Sequence, residues 1–196
     1  MIMNMNMNES ITTGAILNRA AVTGLALGAV STAYMFAVQY LPQTIPSAIA
    51  VTVLTMVLWI AKFVGCILII RAAMQRTADS YDGVERRHTR RLGIFAALFS
   101  ALIYSAASLA DILYINPGEI DEAFDMIMGE YSKFLDSNSL TMIDGYKENL
   151  PTMTFFSNLI YCFLYGTIVA SILSRYIPDV DPFAGFHDSG TDVEEQ

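Results

Sequence analysis

The chain has 196 residues, 54% of them hydrophobic and only 15% charged, where a soluble domain carries charge on about a quarter of its residues. Its apolar residues fall in long blocks, each near the ~20 residues that cross a bilayer core, and not in the short alternating segments of a membrane barrel. The expected fold class is all-α, a polytopic membrane protein with a four-helix transmembrane bundle, and the net charge of −8 is split between basic and acidic connections.

The opening run "MIMNMNMNES" reads as a disordered end. Thioethers suit Cu(I), but no Cys or His stands near to complete such a site, and no cofactor is expected. Ala20–Tyr40 is the first expected span. It is longer than the apolar core of a cleaved signal peptide, about 7–15 residues, and the next block runs straight through the small-x-small site Ala48-Ile49-Ala50. Ala20, Gly24, Gly28 and Thr32 form a small-xxx-small stripe. Burying leucine does not drive helices together in lipid, so close backbone approach along such stripes has to do so. The stripe faces either a neighbour in the chain or a second copy, which keeps a homo-oligomer open.

The short connection "LPQTIPS" makes a tight antiparallel hairpin with the second span, Pro46–Ile70. Ala61 and Gly65 form a shorter stripe there, and Lys62 puts a charge inside "WIAKFVGCILII". An ionisable residue within a span is a functional hypothesis by default. The following connection, "AAMQRTADSYDGVERRHTRR", extends the second helix beyond the membrane before a turn at Asp82-Gly83. Arg86, Arg87, Arg90 and Arg91 are candidates for contact with lipid headgroups or a partner, at about 1 kcal/mol per cation for anionic lipid. They read equally as a topology signal. With Arg71 and Arg76 in the same connection, and Arg19 and Arg175 flanking the first and last spans, they place both termini in the cytoplasm.

The third expected span, Leu92–Ile115, carries the stripe Ala97, Ala101 and Ser105, and Asp111 near its outer boundary. There Asp111 meets water, with Asn158 or Tyr161 at similar depth. By residue count Lys62 lies about 13 Å from the arginine-bearing face and Asp111 about 30 Å, too far apart for a direct salt bridge. Lys62 must therefore snorkel to the inner face, lose its proton, or line a polar cavity or partner surface.

The outer loop 116–153 contains an amphipathic helix over 117–136, capped by Asn116, Pro117 and Glu119. Its apolar face, with Phe124, Ile127 and Tyr131 as candidate docking residues, is backed by Asp121, Glu122 and Asp125. Surface-lying membrane helices are basic on that face, so this one is expected to pack on the bundle's outer end or on a partner. Leu140, Ile143 and Leu150 pattern a shorter second helix ending at Pro151.

The fourth span, Thr154–Tyr176, carries Asn158 and the stripe Gly166, Ala170 and Ser174. It completes a membrane domain over 1–178, leaving an acidic tail, 179–196, that is expected to be disordered. Counting from the outer block edges puts Cys66 and Cys162 about 18 Å apart in depth, beyond the ~7 Å Cα separation of a disulfide. Both are expected as free thiols.

Four spans around an Arg-bearing inner loop, an acidic Met-rich helix before the last span, and the closing "YGTIVASILSRYIP" together resemble a bacterial family. It is the small four-span inner-membrane family of Bacteroides-type bacteria known as domain of unknown function 4199. The resemblance implies an inner-membrane protein over most of residues 15–178. That family has no assigned activity and brings no functional residues. Three classes follow. The first is a non-catalytic accessory or scaffold subunit, with membrane lipids and a membrane protein as partners, a lipid-linked glycosyltransferase being the one to test first. The second is a small oligomeric transporter or channel using Lys62. The third, an intramembrane enzyme, lacks a nucleophile motif, a metal cluster or a Ser–Lys pair at matched depth, so no enzyme and no nucleic-acid partner are expected.

Overall fold

The computed structural model describes residues 12–81, 84–131 and 137–177. The Met/Asn run, the turn at Asp82-Gly83, Phe134, Leu135 and the tail 179–196 lie outside them, as do the side chains of Glu119, Ala123, Ile127, Tyr131, Leu140 and Ile143. The described chain is all-helical. It runs α1 (Thr13–Thr44), α2 (Ala48–Ser80), α3 (Arg86–Ala110), a π-helical turn (Asp111–Ile115), α4 (Gly118–Tyr131) and α5 (Ser137–Leu173). Four of the helices are long and apolar enough to cross a membrane.

Local chemistry sets the helix starts. The Thr12 hydroxyl accepts the Ala15 N–H at 3.3 Å to open α1, and the Ser47 hydroxyl accepts the Ala50 N–H at 3.4 Å to open α2. At α3 the Glu85 N–H donates to His88 Nδ1 at 3.2 Å, one half of a capping box. The helix ends differ from the hydropathy blocks. α1 continues through Pro42 to Thr44, and α5 continues through Pro151. The separate short helix expected to end at Pro151 is therefore absorbed into one rod. Proline fixes φ near the helical value and removes a single N–H, and helices in membrane proteins tolerate that loss. Nor is the third span one regular helix, because it changes to a π-helical turn at Asp111.

α3 is the central element, packed along its length by α1 on one side and α5 on another. From Gly93 onward its buried positions are small: Gly93, Ala96, Ala97, Ala101, Ser105 and Ser108. The facing stripes meet them. A Cβ on Gly24 would lie 2.5 Å from Phe99 Cβ, and one on Gly28 would lie 2.8 Å from Ile103 Cβ. On the other side a Cβ on Gly166 would lie 2.6 Å from Ala97 Cβ. The GxxxG stripe of α1 thus packs within the chain, against α3.

α2 behaves differently. Gly65 has open space where a Cβ would stand, and Ala61 is exposed, so the stripe expected on α2 is not an interface. A small residue permits close approach but does not compel it. The buried residues of α2 are Ile70, Met74 and Thr77, all at its arginine-bearing end. There they join Ile16, Ala20, Leu92, Ala96 and Ala170 in the core. Arg19 fastens the same end, donating to the Arg76 carbonyl at 3.0 Å and the Thr77 hydroxyl at 3.4 Å, with its guanidinium 4.9 Å from the Tyr81 ring. All eight arginines of the chain lie at this end, at the start of α1, the end of α2, the start of α3 and just past α5.

At the opposite end α4 is tied to the first part of α5. Lys147 reaches Asp121 at 2.7 Å and lies 5.9 Å from the Phe124 ring. The docking face expected on the bundle's outer end is therefore engaged, at Phe124, by the N-terminal extension of α5. The reason is that the extension carries a cation opposite the acidic helix. Met126, on another face, is 75% exposed.

Candidate functional site: a lysine-lined cavity

Lys62 projects from α2 into the bundle, where its ammonium sits 4.8 Å from the Tyr34 ring of α1 and 5.5 Å from the Tyr104 ring of α3. A lysine at the centre of a spanning helix costs about 2.5–3.5 kcal/mol to insert. Two cation–π contacts at about 0.5–2 kcal/mol each offset a comparable amount. The charge is thus held by aromatic faces of α1 and α3, with no acidic partner among the described residues.

Beside it lies a cavity of about 190 Å³. Lys62, Cys66, Tyr104 and Cys162 line it, with the Ser31 and Ser100 hydroxyls, and no carboxylate stands in its wall. Its rim is aromatic. Trp59 stacks on Phe63 at 5.8 Å, Phe63 meets Tyr165 at 6.2 Å, and Tyr165 stacks on Tyr161 at 6.4 Å. These four rings bridge α2 and α5 and are exposed on the bundle's side, Tyr161 to 69%. The cavity therefore opens sideways, between α2 and α5. The fold explains the gap: α2 is fastened at its arginine end, and nothing small on its upper half draws it onto α3 or α5.

Register corrects the depth assigned to the cysteines. Met74 of α2 and Ala170 of α5 both crowd the place a Cβ on Gly93 would take. Cys66 and Cys162 each precede that point by eight residues on parallel helices, so they share one level and one cavity. The 18 Å offset came from block edges, which mark where polarity changes along each helix and not the level its residues reach. Both thiols are free.

Asp111 and Asn158 are not part of this cavity. The Asp111 carboxyl accepts from Gln39 Nε2 at 3.1 Å and from Asn116 Nδ2 at 2.9 Å, and the Asn116 N–H donates to the Asp111 carbonyl at 2.8 Å. Asp111 is 7% exposed, so the expected contact with water is replaced by two amide donors. The π-helical turn brings these groups together, and Asn116, read as a cap for α4, turns its amide to this knot. Asn158 instead donates to the Ser108 hydroxyl at 3.1 Å, tying α5 to α3. The Lys62–Asp111 pair is not formed. Arg86, Arg87, Arg90 and Arg91 are exposed at the basic end, with Arg87 paired to Glu85 at 2.8 Å.

The sequence reading missed Tyr34, Tyr104 and Gln39. Two tyrosines and a glutamine inside apolar blocks were the available signal, since a polar tip within a span needs a partner. No family model matches the chain, and no curated protein or solved structure matches it either.

Proposed function

We propose that this integral membrane protein is a non-catalytic accessory subunit of the bacterial inner membrane, and that the Lys62 cavity is where it engages a membrane-borne ligand. One observation carries the reading: a cation faces a laterally open cavity of about 190 Å³ whose wall holds no carboxylate. Intramembrane charges that face a cavity mark binding or transport sites. The sideways opening favours binding from the bilayer over conduction from end to end. The gathering of arginines at one end supports cytoplasmic termini by the positive-inside rule. A lipid-linked glycosyltransferase is the partner to test first, because its substrates are themselves membrane-borne.

The test is purification of the wild type and Lys62→Met from native membranes, with mass spectrometry of the proteins and lipids that accompany each. The wild type should bring a defined set, and Lys62→Met should lose part of it while still folding. An identical set for both proteins, with an unchanged growth phenotype, would contradict the proposal.

A further inference from the structure

We infer that the Lys62 cavity takes the carboxyl head of a long-chain, single-chain carboxylate, whose tail leaves through the gap between α2 and α5 into the bilayer. The inference rests on the binding role proposed above and names its ligand.

Charge comes first. The site offers an ammonium and the hydroxyls of Ser31, Ser100 and Tyr104, with no acid in the wall, so its polar complement is an anionic or strongly accepting head. Asp111, the acid within the same span as Tyr104, already accepts from Gln39 and Asn116.

Size and shape come next. A volume of about 190 Å³ falls below the ~300–1,000 Å³ of pockets that enclose a whole ligand. It holds a small head and the first few carbons. The remainder must lie outside, and the outside here is lipid, framed by the rings of Trp59, Phe63, Tyr161 and Tyr165. A water-borne inorganic anion has no reason to enter past four aromatic rings.

Depth then selects among lipids. Lys62 lies about 21 Å from Ala48 and about 13 Å from Arg71, the first charge of the arginine-bearing end, at 1.5 Å per residue. Both distances put it well inside a hydrocarbon core about 30 Å thick. A two-chain phospholipid holds its phosphate at the headgroup level and would have to drag it some 15 Å inward. A single-chain carboxylic acid has a small head that crosses the midplane in its neutral form. The ammonium supplies what this head lacks in hydrocarbon.

The experiment uses the full-length protein in phosphatidylcholine nanodiscs and a palmitic acid analogue bearing a diazirine near its carboxyl end. Crosslinks should map to α2 around Trp59–Cys66 and to α5 around Tyr161–Tyr165. Oleate should compete, and methyl oleate, with the same chain and no acid, should not. Lys62→Met should reduce labelling about tenfold, equivalent to about 1.4 kcal/mol, while Lys62→Arg keeps most of it. Retained labelling of Lys62→Arg separates loss of charge from loss of fold. Competition by methyl oleate equal to that by oleate would overturn the inference. Displacement of the probe by an isoprenoid quinone, with oleate ineffective, would reassign the site to a carbonyl-headed ligand and overturn it too. Failure here with Lys62→Met still losing its co-purifying set would leave the binding role standing and remove only the carboxylate.

Discussion

Two charged side chains lie within the spans, and the protein treats them in opposite ways. Asp111 is enclosed: amides from α1 and from the end of the third span donate to both of its oxygens, and a π-helical turn holds it there. Among the described residues, Lys62 has only the faces of Tyr34 and Tyr104 and looks into a cavity open to the side. A group whose hydrogen-bonding capacity is met by neighbouring helices serves the fold. A group held by aromatic faces, with its N–H donors left for something else, is available for binding. The difference follows from packing. Asp111 sits on α3, where small residues draw α1 and α5 close, whereas Lys62 sits on α2, which is anchored at one end.

The largest test of the contrast is Asp111→Leu. It removes the carboxylate that accepts from the half-buried Gln39 and Asn116 amides, hydrogen bonds to a charged group worth about 1.5–3 kcal/mol each, and should lower thermal stability in nanodiscs by about 3 kcal/mol. Asp111→Asn, which keeps one acceptor oxygen, should lose about half as much. A melting curve for Asp111→Leu equal to that of the wild type would dissolve the knot as a structural device. Next is Gly24→Leu, which drives a side chain into Phe99 and the Ala96 carbonyl and should destabilise by about 2 kcal/mol through overpacking. Gly65→Leu, facing open space, should leave stability unchanged to within about 0.5 kcal/mol. Equal effects at the two glycines would mean that α2 packs as α1 does, and the origin of the cavity would be lost.

Smaller effects sharpen the picture. Asn158→Leu removes the link to Ser108 and should lower stability by about 0.6 kcal/mol, the average for an interhelical hydrogen bond in a membrane. Asp121→Ala removes an exposed ion pair with Lys147 and should change melting by less than about 1 kcal/mol. The proposed orientation is checked by single-cysteine labelling at position 130 in a Cys66→Ser/Cys162→Ser background. Reaction from the periplasmic side is expected, and reaction only from the cytoplasmic side would reverse it.

The fold class was legible because four apolar blocks leave few alternatives, and the stripes on α1, α3 and α5 named real interfaces because a neighbouring helix stands within a Cβ's reach of the glycines there. The stripe on α2 was misleading for the same chemistry, since Ala61 and Gly65 look alike whether a neighbour is present or absent. Depth was the weakest inference. Block edges mark where polarity changes, while level is set by contacts such as Met74 and Ala170 at Gly93, so Cys66 and Cys162 were placed apart when they share a cavity. Lys62 was legible as an anomaly. Its setting was not, because Tyr34 and Tyr104 come from helices whose rotation the sequence does not fix.

The most direct measurement compares thermal unfolding of Lys62→Met and Asp111→Leu in the same nanodiscs, with the protein freed of co-purifying lipid. With no structural partner to leave behind, Lys62→Met should melt at or above the wild-type temperature, since it removes an insertion cost of about 2.5–3.5 kcal/mol and loses two cation–π contacts of similar total. Asp111→Leu should melt well below it. A fall for Lys62→Met as large as that for Asp111→Leu would show the lysine to be part of the fold, and would contradict the distinction between the two charges.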